Sequence, residues 1–288
     1  MKVLFTKMQA FGNDYVYIDA ISQNIEAPGI LARRISDRHF GVGSDGMVML
    51  CPSQVCDFRM RIFNPDGSEA EMCGNALRSA SKLFYCSGYT KKELLTVETL
   101  GGHQTVELMV EEGQVVNIHA QIGKPEFRAE KIPVNTEGEI FLDQRLKAAD
   151  REFRTSSISF GNPHTVLLLD QGEDLEKLDL EKYGKSVEEH PCFPQRTNVT
   201  FAQILDQGHI RIREWERNCG ETLGCGTGCC AAVVVANRLG LCGRRVEVQQ
   251  PGGPLAVEWD QEDVVHMTGP SQIVFRGEYY HDIEEFIE

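Results

Sequence analysis

Two cysteine–glycine pairs are the residues of this 288-residue chain whose type and position best suit chemistry. Cys73 and Cys225 are each followed by glycine and then by a pattern that predicts a helix, over 76–86 in the first case and 229–239 in the second. The free N–H groups and the positive dipole end at a helix start favour an anion. Each pair therefore predicts a carboxylate site with a thiol beside it.

Such a site would also make the thiol a usable base. An ordinary cysteine has a pKa of about 8.5, and a helix N-terminus favours the thiolate. The same donors would stabilise the enediolate character that a carboxylate gains when its Cα loses a proton. Two sites acting on one Cα would place a base on one face and an acid on the other, which predicts inversion of a stereocentre.

An internal repeat supports the idea of two equivalent sites, because corresponding motifs recur about 152 residues apart. The matched segments are 59–63 with 211–215, 73–74 with 225–226, 101–102 with 252–253, and 11–13 with 160–162. The order and spacing of these matches predict two similar domains that face each other, with one cysteine from each half in the cleft. We expect residues 1–119 with 270–288 to form the half that carries Cys73, and 120–269 the half that carries Cys225.

Alternating and β-branched segments predict that both halves are mainly strand, which makes the fold class α+β. The second helix is apolar nearly all round from Cys229 to Ala236, so it should be enclosed by strands. The expected strands are 3–7, 15–19, 57–63, 94–99, 105–110 and 115–119, followed by 165–169, 199–205, 209–215, 245–249, 255–259 and 264–267.

The overall composition limits the possible partners. A net charge of −14 and a pI near 5.1 oppose binding to nucleic acid or to an anionic membrane. The N-terminus is too short an apolar run for a signal peptide and no later run is long enough to span a bilayer, so a cytoplasmic location is expected. We expect the ten cysteines to be reduced and mostly buried.

Neither a metal nor an organic cofactor is expected. The cysteines lack the C-x-x-C and histidine spacing of zinc sites, and the chain has no P-loop. The glycine-rich segment 41–46 leads into the apolar run 47–50, so it predicts a loop that enters a strand, not a dinucleotide site. A non-catalytic metal or redox protein built on Cys219, Cys225, Cys229 and Cys230 is an alternative, but Cys219 and Cys229 have no counterparts in the first half.

Several longer motifs are more specific than any of these patterns. They are KMQAFGNDYVYID, DRHFGVGSDG, RIFNPDGSEAEMCGNALR, GNPH, RTNVTF, RIREWERNCGETLGCGTGCCAA and MTGP. By these motifs the chain resembles the diaminopimelate epimerase family over essentially its whole length. The resemblance implies two pseudo-symmetric domains, each a mixed, barrel-like β-sheet around a central helix, with the active site in the interdomain cleft. It also implies epimerisation of LL-2,6-diaminopimelate to the meso form without pyridoxal phosphate or metal, and a homodimer.

The resemblance assigns roles residue by residue. Cys73 and Cys225 match the catalytic thiols, and His164 and Glu216 match residues that help to set the thiols' protonation states. The matching substrate-binding residues, Glu216 included, are Asn13, Asn64, Gly74, Asn75, Asn162, Asn198, Glu216, Arg217, Gly226 and Thr227. On residue type alone, the asparagines are more typical of turns and His164 of a structural histidine, while the Glu216–Arg217 pair is equally typical of a surface ion pair.

Two departures from the family pattern stand out. Gly46 occupies a position where many members have glutamine, and Asn218 replaces a glycine, which asparagine can do because it tolerates positive φ. The nearest alternative is a related two-thiol racemase for proline, hydroxyproline or histidine. Asn75 and Arg217 favour diaminopimelate, since proline-type racemases usually have histidine after this Cys-Gly.

Overall fold

The structure is a computed structural model that describes residues 2–170 and 172–280. The chain divides into two compact units: the N-terminal unit, Met1–Ala120 with Gly269–Glu288, and the C-terminal unit, Gln121–Thr268. The expected N-terminal half also includes residues 1 and 281–288, which lie outside the described residues. None of the helices in the described part is long and apolar enough to cross a membrane.

The N-terminal unit is built on a mixed sheet. Its strands are β1 (Lys2–Ala10), β2 (Asn13–Asp19), β3 (Met47–Cys51), β4 (Phe58–Phe63), β5 (Glu69–Ala70), β6 (Leu94–Thr99), β7 (Gly102–Glu111), β8 (Gln114–Gly123, which runs past the unit boundary) and β18 (Gln272–Tyr280). Strand pairing runs in the order β18, β1, β2, β3, β4, β6, β7, β8, with β5 also on β4. Its helices are α1 (Pro28–Ile35) and α2 (Gly74–Cys86).

The C-terminal unit repeats this arrangement. Its strands are β9 (Gln144–Ala148), β10 (Arg151–Ser159), β11 (Pro163–Leu168), β12 (Asn198–Ile204), β13 (His209–Glu216), β14 (Gly220–Thr222), β15 (Arg245–Gln250), β16 (Gly253–Trp259) and β17 (Val265–Gly269). They pair in the order β9, β10, β11, β12, β13, β15, β16, β17, with β14 also on β13. Its helices are α3 (Leu180–Glu188) and α4 (Gly226–Arg238), with 3-10 turns at Ala129–Lys131 and Leu175–Lys177.

The parallel pairings fall at equivalent places in the two sheets. β2 pairs in parallel with β3 and β4 with β6, and in the second unit β11 pairs in parallel with β12 and β13 with β15. The pairings that separate them are antiparallel in both units. This common pattern is the structural form of the repeat in the sequence, and it confirms the α+β fold class.

Each sheet surrounds one central helix. α2 contacts β1, β2, β3, β4 and β7, and α4 contacts β10 to β13 together with β15 and β16. Residues Gly228 to Ala236 of α4 are all buried, which agrees with their apolar sequence. A helix can touch strands so far apart in one sheet only if the sheet curves around it, as the family resemblance implies.

The helix limits expected from the sequence need correction. Both helices begin directly after their cysteine, at Gly74 and Gly226, instead of at 76 and 229, and α4 ends at Arg238 instead of 239. Glycine, asparagine and threonine are weak helix formers, so the pattern of strong formers starts late. The backbone still turns helical there, because Cys73 and Cys225 have extended conformations (φ −141° and −122°) and act as N-caps.

Several elements had no clear sequence signal. The expected strands did not include β9, β10 or β18, and the expected helices did not include α1 or α3. The polar run Thr155–Ser156–Ser157 lies inside β10 and is buried, so it does not alternate as a half-exposed strand would. The expected loop over 41–46 is confirmed, and it leads directly into β3.

Candidate active site

The N-terminal unit surrounds Cys73 with amide groups. Its thiol donates to the Oδ1 of Asn13 at 3.7 Å, and the Nδ2 of Asn75 donates to the same oxygen at 3.2 Å. Arg78, fully buried on α2, donates to the Oδ1 of Asn75 at 2.7 Å. Cys73 itself is half-buried. The arrangement places one thiol, two amides and the first turn of α2 together at the start of the helix.

A network of charged groups on the side away from Cys73 fixes the orientation of the Asn13 amide. Its Nδ2 donates to the carboxylate of Asp45 at 2.8 Å, and the backbone N–H of Asp14 donates to the same oxygen at 3.0 Å. Arg38 donates to Asp45 at 2.7 Å and to Asp14 at 3.0 Å. Since a carboxylate only accepts hydrogen bonds, Asp45 keeps the Asn13 amide nitrogen on its own side and the oxygen towards Cys73.

Tyr15 is a further neighbour of Cys73 that the sequence did not reveal. Burial raises the pKa of the Tyr15 hydroxyl well above its usual value, and the adjacent Cys73 contributes to the same shift. The hydroxyl therefore stays protonated over the whole physiological range. It can donate a hydrogen bond to the Cys73 sulfur, which would stabilise a thiolate there.

The C-terminal unit holds Cys225 in a more enclosed environment. Cys225 is 7% exposed, and its backbone N–H donates to the Oε1 of Gln250 at 3.1 Å. Its sulfur lies 3.5 Å from the hydroxyl of Thr227, and the N–H of Gly228 also donates to it. The thiol of Cys229 donates to the same Gln250 oxygen at 3.2 Å. Gln250, at the end of β15, thus ties the start of α4 to the sheet.

Acidic groups distinguish this site from the first. Burial raises the pKa of the Cys225 thiol well above its usual value, and the carboxylates of Glu216 and Glu214 raise it further. Glu216 accepts a hydrogen bond from Thr222 at 2.7 Å.

His164 is completely buried, and this burial, together with the charge of Arg217, lowers its pKa to about 3. Its Nδ1 lies 3.8 Å from the Oε1 of Glu214. Near neutral pH the histidine is therefore uncharged.

Asn198, the first residue of β12, is joined to Arg217 by a hydrogen bond. The side-chain oxygen of Asn198 accepts from the backbone N–H of Arg217 at 2.9 Å, and its Nδ2 donates to the carbonyl of Pro163 at the same distance. The Arg217 guanidinium donates to the carbonyl of Gln195 at 3.3 Å. Asn162, half-buried, precedes β11 directly. The structure therefore brings Asn162, Asn198 and Arg217 to one end of neighbouring strands.

Asn64 lies in the turn after β4, where its Nδ2 donates to the Ser68 hydroxyl at 3.0 Å.

At Gly46, a Cβ would collide with the carbonyl oxygen of Phe63, so the glutamine of other members does not fit this backbone. Asn218 has a φ of 62°, which is the left-handed conformation that explains why asparagine can replace glycine there.

Within each unit, only some of the expected residues adjoin their cysteine, whereas the side chains of Asn64, Asn198 and Arg217 bond to Ser68, Pro163 and Gln195. In the first, Asn13, Gly74 and Asn75 adjoin Cys73; in the second, Gly226, Thr227 and Glu216 adjoin Cys225. Sequence reasoning missed the supporting residues Tyr15, Asp45, Glu214 and Gln250. Of these, Glu214 has the one signal that could have been used, a charged residue in an inward position of an alternating strand. Among the described residues, no group of three metal-ligating side chains is present.

The fold is shared with solved structures of low sequence identity. A probable proline racemase from Agrobacterium radiobacter K84 has a TM-score of 0.72 at 15% identity, over 99% of this chain and 94% of that chain. A hydroxyproline epimerase from Agrobacterium vitis has a TM-score of 0.68 at 13% identity, over 96% and 90%. The chain therefore shares the fold of these two structures.

Sequence comparison identifies the family. The family model "Diaminopimelate epimerase" matches residues 5–128 and 156–274. A diaminopimelate epimerase from Methanococcus maripaludis strain C5 is 46% identical over 95% of this chain and 98% of its own length. One from Desulfovibrio desulfuricans is 46% identical over 96% and 98%, and one from Acetivibrio thermocellus is 43% identical over 95% and 97%. The chain belongs to the diaminopimelate epimerase family, and it is an isomerase.

Proposed function

We propose that this protein interconverts LL- and meso-2,6-diaminopimelate by a cofactor-independent mechanism in which Cys73 and Cys225 are the acid and the base. The reaction would serve lysine and peptidoglycan precursor biosynthesis. The observation that carries the proposal is the repeated position of the two cysteines: each is the extended N-cap of a central 13-residue helix, at the same point of two equivalent sheets. Family membership supports diaminopimelate over proline, hydroxyproline and histidine.

The first turn of each helix supplies donors that could bind a carboxylate. The first intrahelical bonds are those from the N–H of Leu77 to Cys73 and from the N–H of Cys229 to Cys225. The preceding N–H groups, at 74–76 and 226–227, therefore have no carbonyl partner within their helix and point beyond its start, while the N–H of Gly228 donates to the Cys225 sulfur. Such donors stabilise the negative charge that the reacting carboxylate gains as Cα loses its proton.

Two thiols account for both proton transfers of the reaction. The thiolate of one cysteine takes the Cα proton, the C–H electron pair passes into the enediolate, and the other thiol gives its proton to the opposite face. Reversal exchanges the two roles. Because its surroundings raise the pKa of Cys225, this residue favours the thiol form and is suited to donate. The Tyr15 hydroxyl and the first turn of α2 can support a thiolate at Cys73.

Recognition of the non-reacting end is assigned to the amides and to Arg217. The distal carboxylate is the natural partner for the planar guanidinium of Arg217, which can donate two parallel hydrogen bonds. Asn198 holds the backbone of Arg217 in place. We assign Asn64 and Asn162 to the same substrate, as donors or acceptors for its amino and carboxylate groups.

The direct test is exchange of the Cα hydrogen. In heavy water, the enzyme should incorporate deuterium at Cα of LL-diaminopimelate while it forms the meso isomer, because the donating thiol carries a solvent-derived proton. The purified protein should do so after dialysis against a chelator and without pyridoxal phosphate. Inversion with complete retention of the original hydrogen, or a requirement for added metal, would contradict the mechanism.

Two further proposals concern the molecule as a whole. We propose that the protein is a homodimer, as the family resemblance implies, and that it acts in the cytoplasm on a free amino acid. Sedimentation equilibrium over a range of concentrations checks the first proposal, with 32.3 kDa expected for a monomer. Fractionation of cells that produce the protein checks the second.

A further inference from the structure

Glu214 is a buried carboxyl group to which the proposed mechanism gives no role. It lies on β13 and is 1% exposed. Neither of its oxygens accepts a hydrogen bond of regular geometry from the described residues. A buried carboxylate without a positively charged partner costs several kcal/mol, so this group must either be neutral or share its charge with a neighbour.

The start of α4 is shaped around this carboxyl. A Cβ at Gly228 would lie 2.6 Å from the Oε2 of Glu214, a distance that non-bonded atoms do not tolerate. Glycine at 228 therefore leaves the space that the carboxyl occupies. The position is three residues after Cys225, in the helical turn whose N–H groups surround the thiol.

The neighbours of Glu214 come from each element packed against it. His164 faces it from β11, the Thr200 hydroxyl from β12, Glu216 from the same strand, and Cys225 from the start of α4. Among the described residues, His164 is its one ion-pair neighbour, at 3.8 Å. Because burial and the charge of Arg217 keep His164 neutral above a pKa of about 3, it provides no positive charge for Glu214 at neutral pH.

Within the described part of the chain, Glu214 and Cys225 thus adjoin each other without a positive charge beside Glu214 at neutral pH. Burial raises the pKa of Glu214 well above its usual value; a hydrogen bond from Thr200 opposes this shift, Glu216 adds to it, and a hydrogen bond from Cys225 also opposes it. Burial also raises the pKa of Cys225, with contributions from Glu216 and Glu214. Two negative charges in contact at such a site exclude each other, as in paired carboxylates.

We propose that Glu214 is a positioning residue whose carboxyl and the Cys225 thiol hold at least one proton between them, so that the Cys225 thiolate forms only while the Glu214 carboxyl is protonated. The inference rests on the proposed function of Cys225. The pair starts with both protons. When Cys225 gives its own proton to Cα, one proton remains, and the O–H bond of Glu214 can donate to the sulfur or pass its proton to it. In the second case an S–H bond forms, the electron pair of the O–H bond remains on the carboxylate, and the pair carries a single negative charge until a proton returns.

Alkylation of the resting enzyme tests this without substrate. Iodoacetamide reacts with the thiolate, and peptide mass spectrometry follows Cys225 with the exposed Cys86 as an internal reference. In Glu214→Gln the competing charge is absent, so the pH at which Cys225 alkylation reaches half its maximum rate should fall by at least about one unit. At a pH below this midpoint, Cys225 of the variant should react roughly tenfold faster than Cys225 of the wild type. Glu247→Gln, at an exposed position of β15, is the matched control and should leave the midpoint unchanged.

A second variant and a wild-type measurement keep the test decisive. Glu214→Val removes the charge without a polar replacement and should lower the midpoint as Gln does. In the wild-type protein, the midpoint of Cys225 must lie above that of Cys86. An unchanged midpoint in whichever variant folds, or a wild-type midpoint at or below that of Cys86, would overturn the proposal.

The activity profile separates this inference from the proposed function. The pH dependence of kcat/KM for LL-diaminopimelate should shift towards acid in the Glu214 variants, in step with alkylation. A purely structural role would lower activity without moving the profile. If the protein did not epimerise diaminopimelate at all, the proposed function would fail, while the alkylation result would still report on the shared proton.

Discussion

The surroundings of Cys73 and Cys225 differ although their backbone positions are equivalent. Both cap a central helix at the same point of a repeated sheet. Cys73 is half-buried among the amides of Asn13 and Asn75, whereas Cys225 is buried beside two carboxyl groups. The repeat therefore preserves the position of the sulfur in each unit, while the burial and the neighbouring side chains of the two sulfurs differ.

The proposed reaction can use this difference. Turnover in either direction needs one thiolate and one thiol when the substrate binds, and environments that separate the pKa values of two titratable groups can set these roles. In the proposed mechanism, the acidic surroundings favour the thiol form of Cys225, and the Tyr15 hydroxyl and the first turn of α2 support a thiolate at Cys73. The following predictions test this comparison, from the largest expected effect to the smallest.

Removal of either sulfur should abolish the reaction. Cys73→Ala and Cys225→Ala should each lower the rate of epimerisation by at least about 10⁴-fold, because one face of Cα then lacks its acid or base. Cys86→Ala, at an exposed position, is the control and should remain active. The assay follows conversion of LL-diaminopimelate to the meso form. Near-wild-type turnover in either single variant would show that the two sites are not both needed.

Loss of the distal carboxylate should be almost as damaging. L-lysine has the distal amine of diaminopimelate but would leave the Arg217 guanidinium without its carboxylate partner. We expect kcat/KM for lysine to be roughly 10⁴-fold lower. Arg217→Lys should also bind diaminopimelate poorly, because an ammonium cannot replace the planar fork. Comparable kcat/KM values for the two amino acids would refute the assignment of diaminopimelate as the specific substrate.

Asp45 should influence Cys73 through Asn13. In Asp45→Asn, position 45 could present either an amide oxygen or nitrogen, so the Asn13 amide would no longer be held with its oxygen towards Cys73. A hydrogen bond to a charged group contributes about 1.5–3 kcal/mol, so kcat/KM should fall about 10- to 100-fold. Asp37→Asn, an exposed change in the same loop, serves as the control. The alkylation profile of Cys73 should shift in the Asp45 variant, while that of Cys225 should not.

The smallest effect concerns stability in acid. The pKa of His164 falls from 6.5 unfolded to about 3 in the folded protein, so between these values the unfolded chain binds more protons. Stability is therefore lost as the pH falls below about 6.5, by about 1.4 kcal/mol for each unit. Between pH 7 and 5, Tm of the wild type should drop by roughly 4–8 °C more than Tm of His164→Gln. Equal drops, measured by calorimetry, would mean that His164 is not held neutral by burial.

Much of the fold followed from patterns that are local in the chain. The repeat, the two cysteine-capped helices, the glycine-rich loop before β3 and most strands were expected from the sequence, because turn residues and apolar periodicity act over a few residues. Strands such as β10, with its buried polar run, were not expected. Their polar groups are satisfied by partners on other strands, as in the contact of Ser157 with Thr165 at 2.9 Å.

The sequence by itself determined the family, the two thiols and the donors directly after them, since these lie within a few residues along the chain. Only the tertiary structure decided what surrounds each thiol. Asp45 accepts a hydrogen bond from Asn13, which lies 32 positions away in the sequence, and Gln250 accepts one from Cys225, which lies 25 positions away. The alternation of β13 places Glu214 at an inward position, but it does not reveal which groups Glu214 adjoins. Burial and the distance to neighbours determine how an ionisable group behaves, and both arise only when distant segments pack together.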